Sequence, residues 1–223
     1  MTQRNHDKRL RLYLIRHGEV EGAVSGRLSG WTDTPLSERG LEQSRELAQT
    51  LSPGVLSAVY SSDLQRTRVM AESIAKCSGL KVHESPAWRE INMGQWEGRT
   101  VGSLWDEAPQ LVARLFEDPA SFEYPGGESF ACFTARVEKA VDQLLLTHKS
   151  GEVVLVAHGG VCRAIIGGAL GIPAKNWLRL AQDYSCVNVI DWYDGNPIVQ
   201  FLNLGYVLFP PKGVENCVPP DQT

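Results

Sequence analysis

The sequence predicts an α/β protein, a three-layer sandwich in which a mostly parallel sheet with an antiparallel edge carries helices on both faces. Apolar runs of strand length alternate with segments of helical periodicity, which is typical of parallel sheets that are covered on both sides. The last two strand candidates are joined only through Asp194-Gly195-Asn196. This link is too short for a crossover, so it predicts an antiparallel hairpin at one edge.

Six segments have the length and apolar content of strands, at residues 10–15, 58–61, 81–83, 153–157, 186–192 and 198–203. Helical spacing of apolar residues predicts helices at 41–51, after Asp63, at 103–117, after Ser129 and at 159–170. Asp63 and Ser129 are residue types that cap helix N-termini, and Gly171 and Pro173 are typical stop signals. Strands and helices therefore alternate along most of the chain.

We interpret residues 1–223 as a single domain, because no repeat or long linker divides the sequence. Residues 100–127 interrupt the rhythm with a helix followed by several prolines and glycines, and we expect them to be an insertion that partly caps the site. Residues 205–223 contain four prolines and predict an irregular tail.

Composition excludes several classes of function. The net charge is −4, whereas general nucleic-acid binding requires a basic face, and no apolar stretch is long enough to span a bilayer. The first ten residues are polar and basic with no apolar region behind them, so we expect no secretory signal. The five cysteines form no Cys-x-x-Cys pair, which favours reduced thiols over disulfides or zinc. We expect a cytoplasmic protein without nucleic-acid or membrane partners; the sequence leaves the oligomeric state open.

Two histidines follow buried strands directly. His17 comes after the first strand with Arg16 before it, and His158 comes after the fourth strand with Gly159 behind it. Ligands of parallel sheets bind outside the carboxyl ends of the strands, where a following helix also presents free amides. A single histidine in such a place is more often structural than catalytic, so the prediction depends on the whole set.

Arg66 adds a third strand end to this set. It falls in the first turn of the helix that Asp63 is expected to cap, where the helix dipole disfavours a cation. A bound anion would remove that conflict. With Arg16 and the two histidines it is suited to hold a phosphate dianion. A metal trio is disfavoured, because the two arginines would repel a cation.

Phosphoryl transfer from an alcohol needs a nucleophile, positive charge and a proton for the leaving oxygen. His17 can be the nucleophile, because the nearby arginines would lower its pKa and keep it neutral. The acid should be a carboxylic acid that is partly shielded from water, and Glu90 is the best candidate. Glu19, Glu97 and Glu128 remain alternatives.

Five motifs together resemble the histidine phosphatase superfamily, the clan of cofactor-dependent phosphoglycerate mutases and related phosphatases. They are Arg16-His17-Gly18-Glu19, Ser61-Ser62-Asp63-Leu64-Gln65-Arg66-Thr67, Glu90 with Gly94-Gln95-Trp96-Glu97-Gly98, Pro125-Gly126-Gly127-Glu128-Ser129, and His158-Gly159. The resemblance runs over residues 12–192, and five motifs in this order are highly specific.

The resemblance implies a phosphohistidine on His17, a phosphoryl group held by Arg16, Arg66 and His158, and Glu90 as acid and then base. It implies no metal and no organic cofactor. Ser29, Gly30 and Gly159 are expected to contribute to substrate binding, since Ser29-Gly30 falls where the family often contacts phosphate.

One departure from the family pattern concerns phosphate binding. Family members commonly carry an asparagine six residues after the nucleophile, whereas this chain has Ala23. Either another residue, such as Arg27, replaces it, or phosphate is held more loosely; we expect weaker substrate binding.

Within the family the sequence favours a metal-independent phosphomonoesterase acting on a small phosphorylated metabolite, because the insertion is short and carries few basic residues. It looks like the α-ribazole-5′-phosphate phosphatase group, whose substrate has a flat aromatic base. Candidates for an apolar wall beside that base are Trp31, Trp88, Trp96, Trp105, Phe122 and Tyr124, although tryptophans more often pack in a core or a lid, so we do not count them as site residues. A mutase and a non-catalytic phospho-ligand module remain alternatives.

Overall fold

Six strands form one mixed sheet in the order β3-β2-β4-β1-β5-β6. The structure is a computed structural model that describes residues 9–51 and 56–205. The strands are β1 (Arg9–Arg16), β2 (Leu56–Ser61), β3 (Val82–Glu84), β4 (Gly151–Ala157), β5 (Val187–Tyr193) and β6 (Asn196–Leu204). β2, β3, β4 and β1 pair in parallel, while β5 is antiparallel to both β1 and β6. The predicted fold class, including its antiparallel edge, is confirmed.

Helices cover both faces of this sheet. They are α1 (Glu38–Thr50), α2 (Gln65–Ser78), α3 (Val101–Glu107), α4 (Pro109–Glu117), α5 (Phe130–Thr147) and α6 (Gly159–Leu170). One apolar core joins α1 and α2 to one face, and another joins α5 and α6 to the opposite face. β1 is buried between them because Leu12 and Leu14 face one core while Tyr13 and Ile15 face the other. Strands buried on both faces read as continuous apolar runs, as this one does.

The hairpin between β5 and β6 turns through two residues. Asp194 and Gly195 have φ values of 50° and 83°, the left-handed region that a tight primed turn requires at both central positions. Asp-Gly is one of the few dipeptides that adopts this turn readily, which explains why the sequence predicts it.

Two predicted helix boundaries are wrong. Asp63 does not cap α2, whose N-cap is Leu64, because the Asp63 carboxylate is paired instead with the Arg89 guanidinium. The helix expected over 103–117 is two helices, since Pro109 has no amide hydrogen and starts α4 anew after Ala108. Ser129 does cap α5, with its side chain accepting a hydrogen bond from the Cys132 amide.

Some predictions fall at or beyond the described residues. Residues 206–223 of the expected tail, with Cys217, lie outside them. None of the helices in the described ranges combines the length and apolar content that crossing a membrane requires.

Arg11 and Asp191 form a cross-strand pair whose loss would destabilise the sheet. Arg11 Nε and Nη2 donate to the two Asp191 oxygens at 2.7 and 2.8 Å, and the Asp191 side chain is only 1% exposed. We expect Arg11→Met to lower the free energy of unfolding by about 2–4 kcal/mol, because it leaves a buried carboxylate without its cation.

Arg9→Met is the matched control in urea denaturation. Arg9 lies on the same strand with a similar side-chain exposure, 25% against 24%, but its contact with Glu152 is 3.5 Å long. Its replacement should cost less than about 1 kcal/mol. An equal loss of unfolding free energy in Arg11→Met and Arg9→Met would contradict the stabilising role of the Arg11–Asp191 pair.

Candidate active site

The sheet places His17 and His158 side by side. β1 and β4 are parallel with Arg16 opposite Ala157, so the residues that follow the two strands leave the sheet at the same edge. The His17 amide donates to the Ala157 carbonyl at 3.0 Å, and the two imidazole centroids lie 5.2 Å apart. The structure thus brings the two predicted histidines together, 6% and 1% exposed.

A backbone carbonyl fixes the tautomer of His17. Its Nδ1 lies 2.7 Å from the Gly18 oxygen, and because a carbonyl only accepts, the hydrogen is on Nδ1. Burial, followed by the charges of Arg66 and Arg16, holds the pKa of His17 well below its ordinary value of 6.5. The ring is therefore neutral near pH 7, and Nε2 carries an available lone pair.

Two arginines are held beside this lone pair by backbone oxygens. Arg66 is 1% exposed, and it donates from Nη1 to Thr32 O and from Nη2 to Gly30 O, both at 2.7 Å. Arg16 donates to Gln182 O and places its guanidinium 4.1 Å above the Tyr184 ring. Neither arginine forms an ion pair among the described residues, so their charges remain available to an anion.

Unsatisfied donors in this cluster indicate an anion site. Within the described ranges, every buried side-chain nitrogen without a hydrogen-bond partner belongs to it: Arg16 Nε, Arg66 Nε and His158 Nδ1. Leaving a buried polar group unpaired is costly, and most proteins avoid it. A phosphoryl group accepts hydrogen bonds through several oxygens and carries the charge that two guanidinium groups match.

His158 is positioned by two hydroxyls that the sequence reasoning did not single out. Its Nε2 lies 2.9 Å from Ser62 Oγ, which lies 2.6 Å from Thr67 Oγ1. Thr67 Oγ1 in turn donates to the Leu64 carbonyl at 2.8 Å, and Nδ1 is the ring atom of His158 without a protein partner. Burial, then Arg66 and His17, lower the pKa of His158 well below 6.5.

Glu90 is fixed against the first turn of α6. Its Oε2 accepts from the Gly160 amide at 2.7 Å and its Oε1 from the Ile91 amide at 3.0 Å. Arg136 supports this segment, because its guanidinium donates to the Arg89 and Glu90 carbonyl oxygens at 2.9 and 3.3 Å. A Cβ on Gly160 would lie 2.1 Å from Glu90 Oε1, so a side chain there would displace the carboxylate.

The other three candidate acids are occupied elsewhere. Glu97 accepts five hydrogen bonds from residues 30–32 and 93, and although burial opposes it, these bonds hold the pKa of Glu97 below its ordinary value. Glu128 is paired with Arg136, and Glu19 accepts from Ser37 Oγ. None of the three lines the cavity in front of His17, whereas Glu90 does.

The three expected substrate-binding residues take different places. Ser29 and Gly159 line the cavity of about 620 Å³ that opens in front of His17. Gly30 does not line it and contributes through its carbonyl on Arg66; a Cβ there would lie 2.2 Å from Ile91 O. The backbone of residue 30 lies so close to the Ile91 carbonyl that only glycine fits there, which sequence spacing does not reveal.

Of the six aromatic candidates for an apolar wall, only Tyr124 lines the cavity. Trp88, Trp96 and Phe122 are buried in the core, the place that is more usual for tryptophans. Tyr184 and Arg163 do line it, although the sequence reasoning named neither. Tyr184 lies in a loop without a motif, so only its contact with Arg16 identifies it. Within the described ranges, no group of three histidines, cysteines or carboxylates could hold a metal ion.

Known proteins are similar to this chain in sequence and fold. The sequence model of the histidine phosphatase superfamily (branch 1) matches residues 12–205. The chain is 33% identical over 195 residues to phosphoserine phosphatase 1 of Hydrogenobacter thermophilus, covering 87% of this chain and 92% of that protein. It is 34% identical over 171 residues to a protein of Serratia proteamaculans named "Probable phosphoglycerate mutase GpmB". This match covers 77% of this chain and 80% of that protein. The crystal structure of the alpha-ribazole phosphatase from Shigella flexneri superposes with a TM-score of 0.79 at 31% identity, covering 86% of this chain and 96% of that one.

The tautomer and charge of His17 can be measured directly. In a long-range ¹H–¹⁵N NMR titration we expect Nδ1 protonated and Nε2 unprotonated at about pH 6, where a histidine with the ordinary pKa of 6.5 is mostly charged. Arg66→Gln removes one of the cations that lower this pKa, so the protonation midpoint of His17 should move upward in that variant. A doubly protonated His17 at pH 6 in the unmodified protein would contradict the assignment.

Proposed function

The chain belongs to branch 1 of the histidine phosphatase superfamily, and we propose that it is a metal-independent phosphomonoesterase that acts through a phosphohistidine on His17. The observation that carries the proposal is the neutral, oriented His17 beside the unpartnered donors of Arg16, Arg66 and His158. Each of these groups does something that phosphoryl transfer requires.

The first step forms the phosphohistidine. The Nε2 lone pair of His17 attacks phosphorus, the Nε2–P bond forms and the ester P–O bond breaks. Arg16, Arg66 and His158 stabilise the charge on the phosphoryl oxygens. The Gly18 carbonyl keeps the hydrogen on His17 Nδ1 and stabilises the positive charge that develops on the ring. Glu90 gives its proton to the leaving oxygen, so an alcohol departs.

The second step returns the enzyme to its starting state. Glu90, now a carboxylate, takes a proton from a water molecule that attacks the phosphohistidine. The P–Nε2 bond breaks and inorganic phosphate leaves, with the electron pair returning to His17. Two positive arginines beside the site disfavour a divalent cation, so we propose that no metal takes part, and a chelator should not affect turnover.

The names of the relatives suggest more than one substrate. The structural likeness to the Shigella flexneri alpha-ribazole phosphatase supports α-ribazole-5′-phosphate as a candidate substrate of this small-metabolite phosphatase. The named Serratia proteamaculans relative supports a mutase as the second candidate, which 3-phosphoglycerate distinguishes because a mutase isomerises it and a phosphatase releases phosphate. A non-catalytic binding module would release no phosphate from any ester.

Replacing the nucleophile tests the proposal most directly. We expect His17→Asn to lower turnover of p-nitrophenyl phosphate by about four orders of magnitude or more and to abolish acid-labile labelling from a ³²P-phosphomonoester. His83→Asn is the control, because His83 is exposed on β3 and stacks on Tyr60, away from the cavity. Acid-labile label that persists in His17→Asn would refute the nucleophile.

The role of Glu90 depends on the leaving group. In Glu90→Gln we expect the rate of enzyme phosphorylation to fall by about 10²–10⁴-fold with ethyl phosphate and by less than about tenfold with p-nitrophenyl phosphate, whose leaving group departs without a proton. The burst of nitrophenolate and single-turnover ethanol release report this step separately from the later attack of water. Glu21→Gln, at the exposed carboxylate that lines the cavity, should not change the ratio between the esters. Equal losses on both esters in Glu90→Gln would exclude Glu90 as the acid.

A further inference from the structure

The residues that line the cavity in front of His17 form two sets, which we call its charged half and its apolar half. The charged half contains the phosphate-binding groups described above. The apolar half is built by side chains from four separate segments, among them Leu28, Met93, Leu115, Phe116, Trp177 and Leu178. With a volume of about 620 Å³, the cavity is larger than a phosphate needs and falls in the range of small-molecule sites.

Large apolar side chains at the mouth of this cavity are exposed. Phe116 on α4 and Leu178 in the 3₁₀ helix Ala174–Arg179 are each 51% exposed, and Val101 at the start of α3 is 41% exposed. Several exposed apolar groups around one concave site are typical of a ligand-binding surface. Trp177 reinforces this character, because its indole N–H donates to Ile172 O at 2.8 Å and only its ring remains for a ligand.

Three further charged residues line the cavity, and they are Glu21, Arg27 and Arg163. Glu21 and Arg27 are exposed, and Arg27 donates to Gly98 O at 2.7 Å. Arg163 belongs to the phosphate side, since a Cβ on Gly159 would lie 3.0 Å from Arg163 Nη1 and 3.6 Å from Arg16 Nε. The apolar side chains offer their contacts to an alcohol part that is itself apolar and long enough to reach them.

We propose that this cavity selects phosphomonoesters whose alcohol carries a large apolar group over short esters such as phosphoserine or phosphoglycerate. A preference measured as kcat/KM rests on the proposed phosphatase activity. The same preference should also be measurable as the affinity of the cavity for non-hydrolysable analogues, which needs no turnover. Transfer of a methylene from water to an apolar site improves binding about three- to fourfold, and the gain should continue until the apolar half is filled.

A chain-length series tests the proposal. We expect kcat/KM to rise by about three- to fourfold per methylene from ethyl to butyl to hexyl phosphate, esters whose leaving groups are chemically alike. 2-Naphthyl phosphate should exceed phenyl phosphate, and hexyl phosphate should exceed phosphoserine and 3-phosphoglycerate. The dissociation constants of the non-hydrolysable ethyl- and hexylphosphonates, measured by calorimetry, should follow the same order.

Two exposed apolar residues provide matched variants. Phe116→Ser should lower the hexyl-to-ethyl ratio of kcat/KM by about tenfold, because it replaces apolar wall with a hydroxyl. Trp105→Ser is the control, since Trp105 is 48% exposed on α3 but does not line the cavity, and it should leave the ratio as it is. Circular dichroism and melting of both variants check that they fold.

The outcomes separate this inference from the proposed function. Turnover without preference for longer esters, or with preference for phosphoserine or phosphoglycerate, overturns the apolar selectivity and leaves the phosphatase activity in place. Absence of turnover with every ester, together with tighter binding of hexylphosphonate than of ethylphosphonate, overturns the phosphatase and supports the selectivity. An equal loss of the ratio in Phe116→Ser and Trp105→Ser also contradicts the proposal.

Discussion

The parallel pairing of β1 with β4 is the constraint on which the site depends. Arg16 lies opposite Ala157, so His17 and His158 leave the sheet together and their rings lie 5.2 Å apart. A shift of one residue would exchange the two faces of either strand and separate the rings. Such a shift is strongly disfavoured, because both strands are buried on both faces between two apolar cores. The stability of the sheet and the geometry of the chemistry are therefore set by the same contacts.

The buried arginines impose the second constraint. Burying a guanidinium without a counter-ion is unfavourable, and the protein limits this cost by surrounding Arg66 with the carbonyl oxygens of Gly30 and Thr32. The Glu97 carboxylate fixes the loop that carries these carbonyls, because it accepts hydrogen bonds from the Gly30 and Trp31 amides and from the Thr32 hydroxyl. Carbonyls satisfy donors but do not neutralise charge. Burial first, and then the charges of these arginines, lower the pKa values of His17 and His158, while Arg16 Nε and Arg66 Nε remain free for an anion. The arginines thus contribute both to the neutral nucleophile and to the anion site.

The sequence predicted the parts of the site that follow from topology. Residues directly after buried parallel strands must meet at one sheet edge, so two apolar runs predict that His17 and His158 lie together. The short link Asp194-Gly195-Asn196 predicts the hairpin of β5 and β6. Local patterns failed where a tertiary contact competes with them: Asp63 is a good capping residue, but Arg89 takes its carboxylate. The cavity wall was missed for a related reason. Tryptophans occur in both cores and binding sites, and only packing shows that Trp88, Trp96 and Trp177 all belong to one core and that Trp177 alone of the three also lines the cavity.

The position of Ala23 connects the phosphate side of the cavity with its apolar side. Ala23 lines the cavity at the position where the family resemblance implies an asparagine, and it presents a methyl group there. Arg27, the nearest candidate to replace the amide, is engaged with Gly98 O. A methyl group adds apolar surface to the cavity and offers no hydrogen bond to a phosphate oxygen. An ester with an apolar alcohol gains binding energy from this surface, whereas a short ester does not reach it. Inorganic phosphate, the product, has no alcohol part to fill the apolar half, so the contacts that favour a large ester do not retain the product.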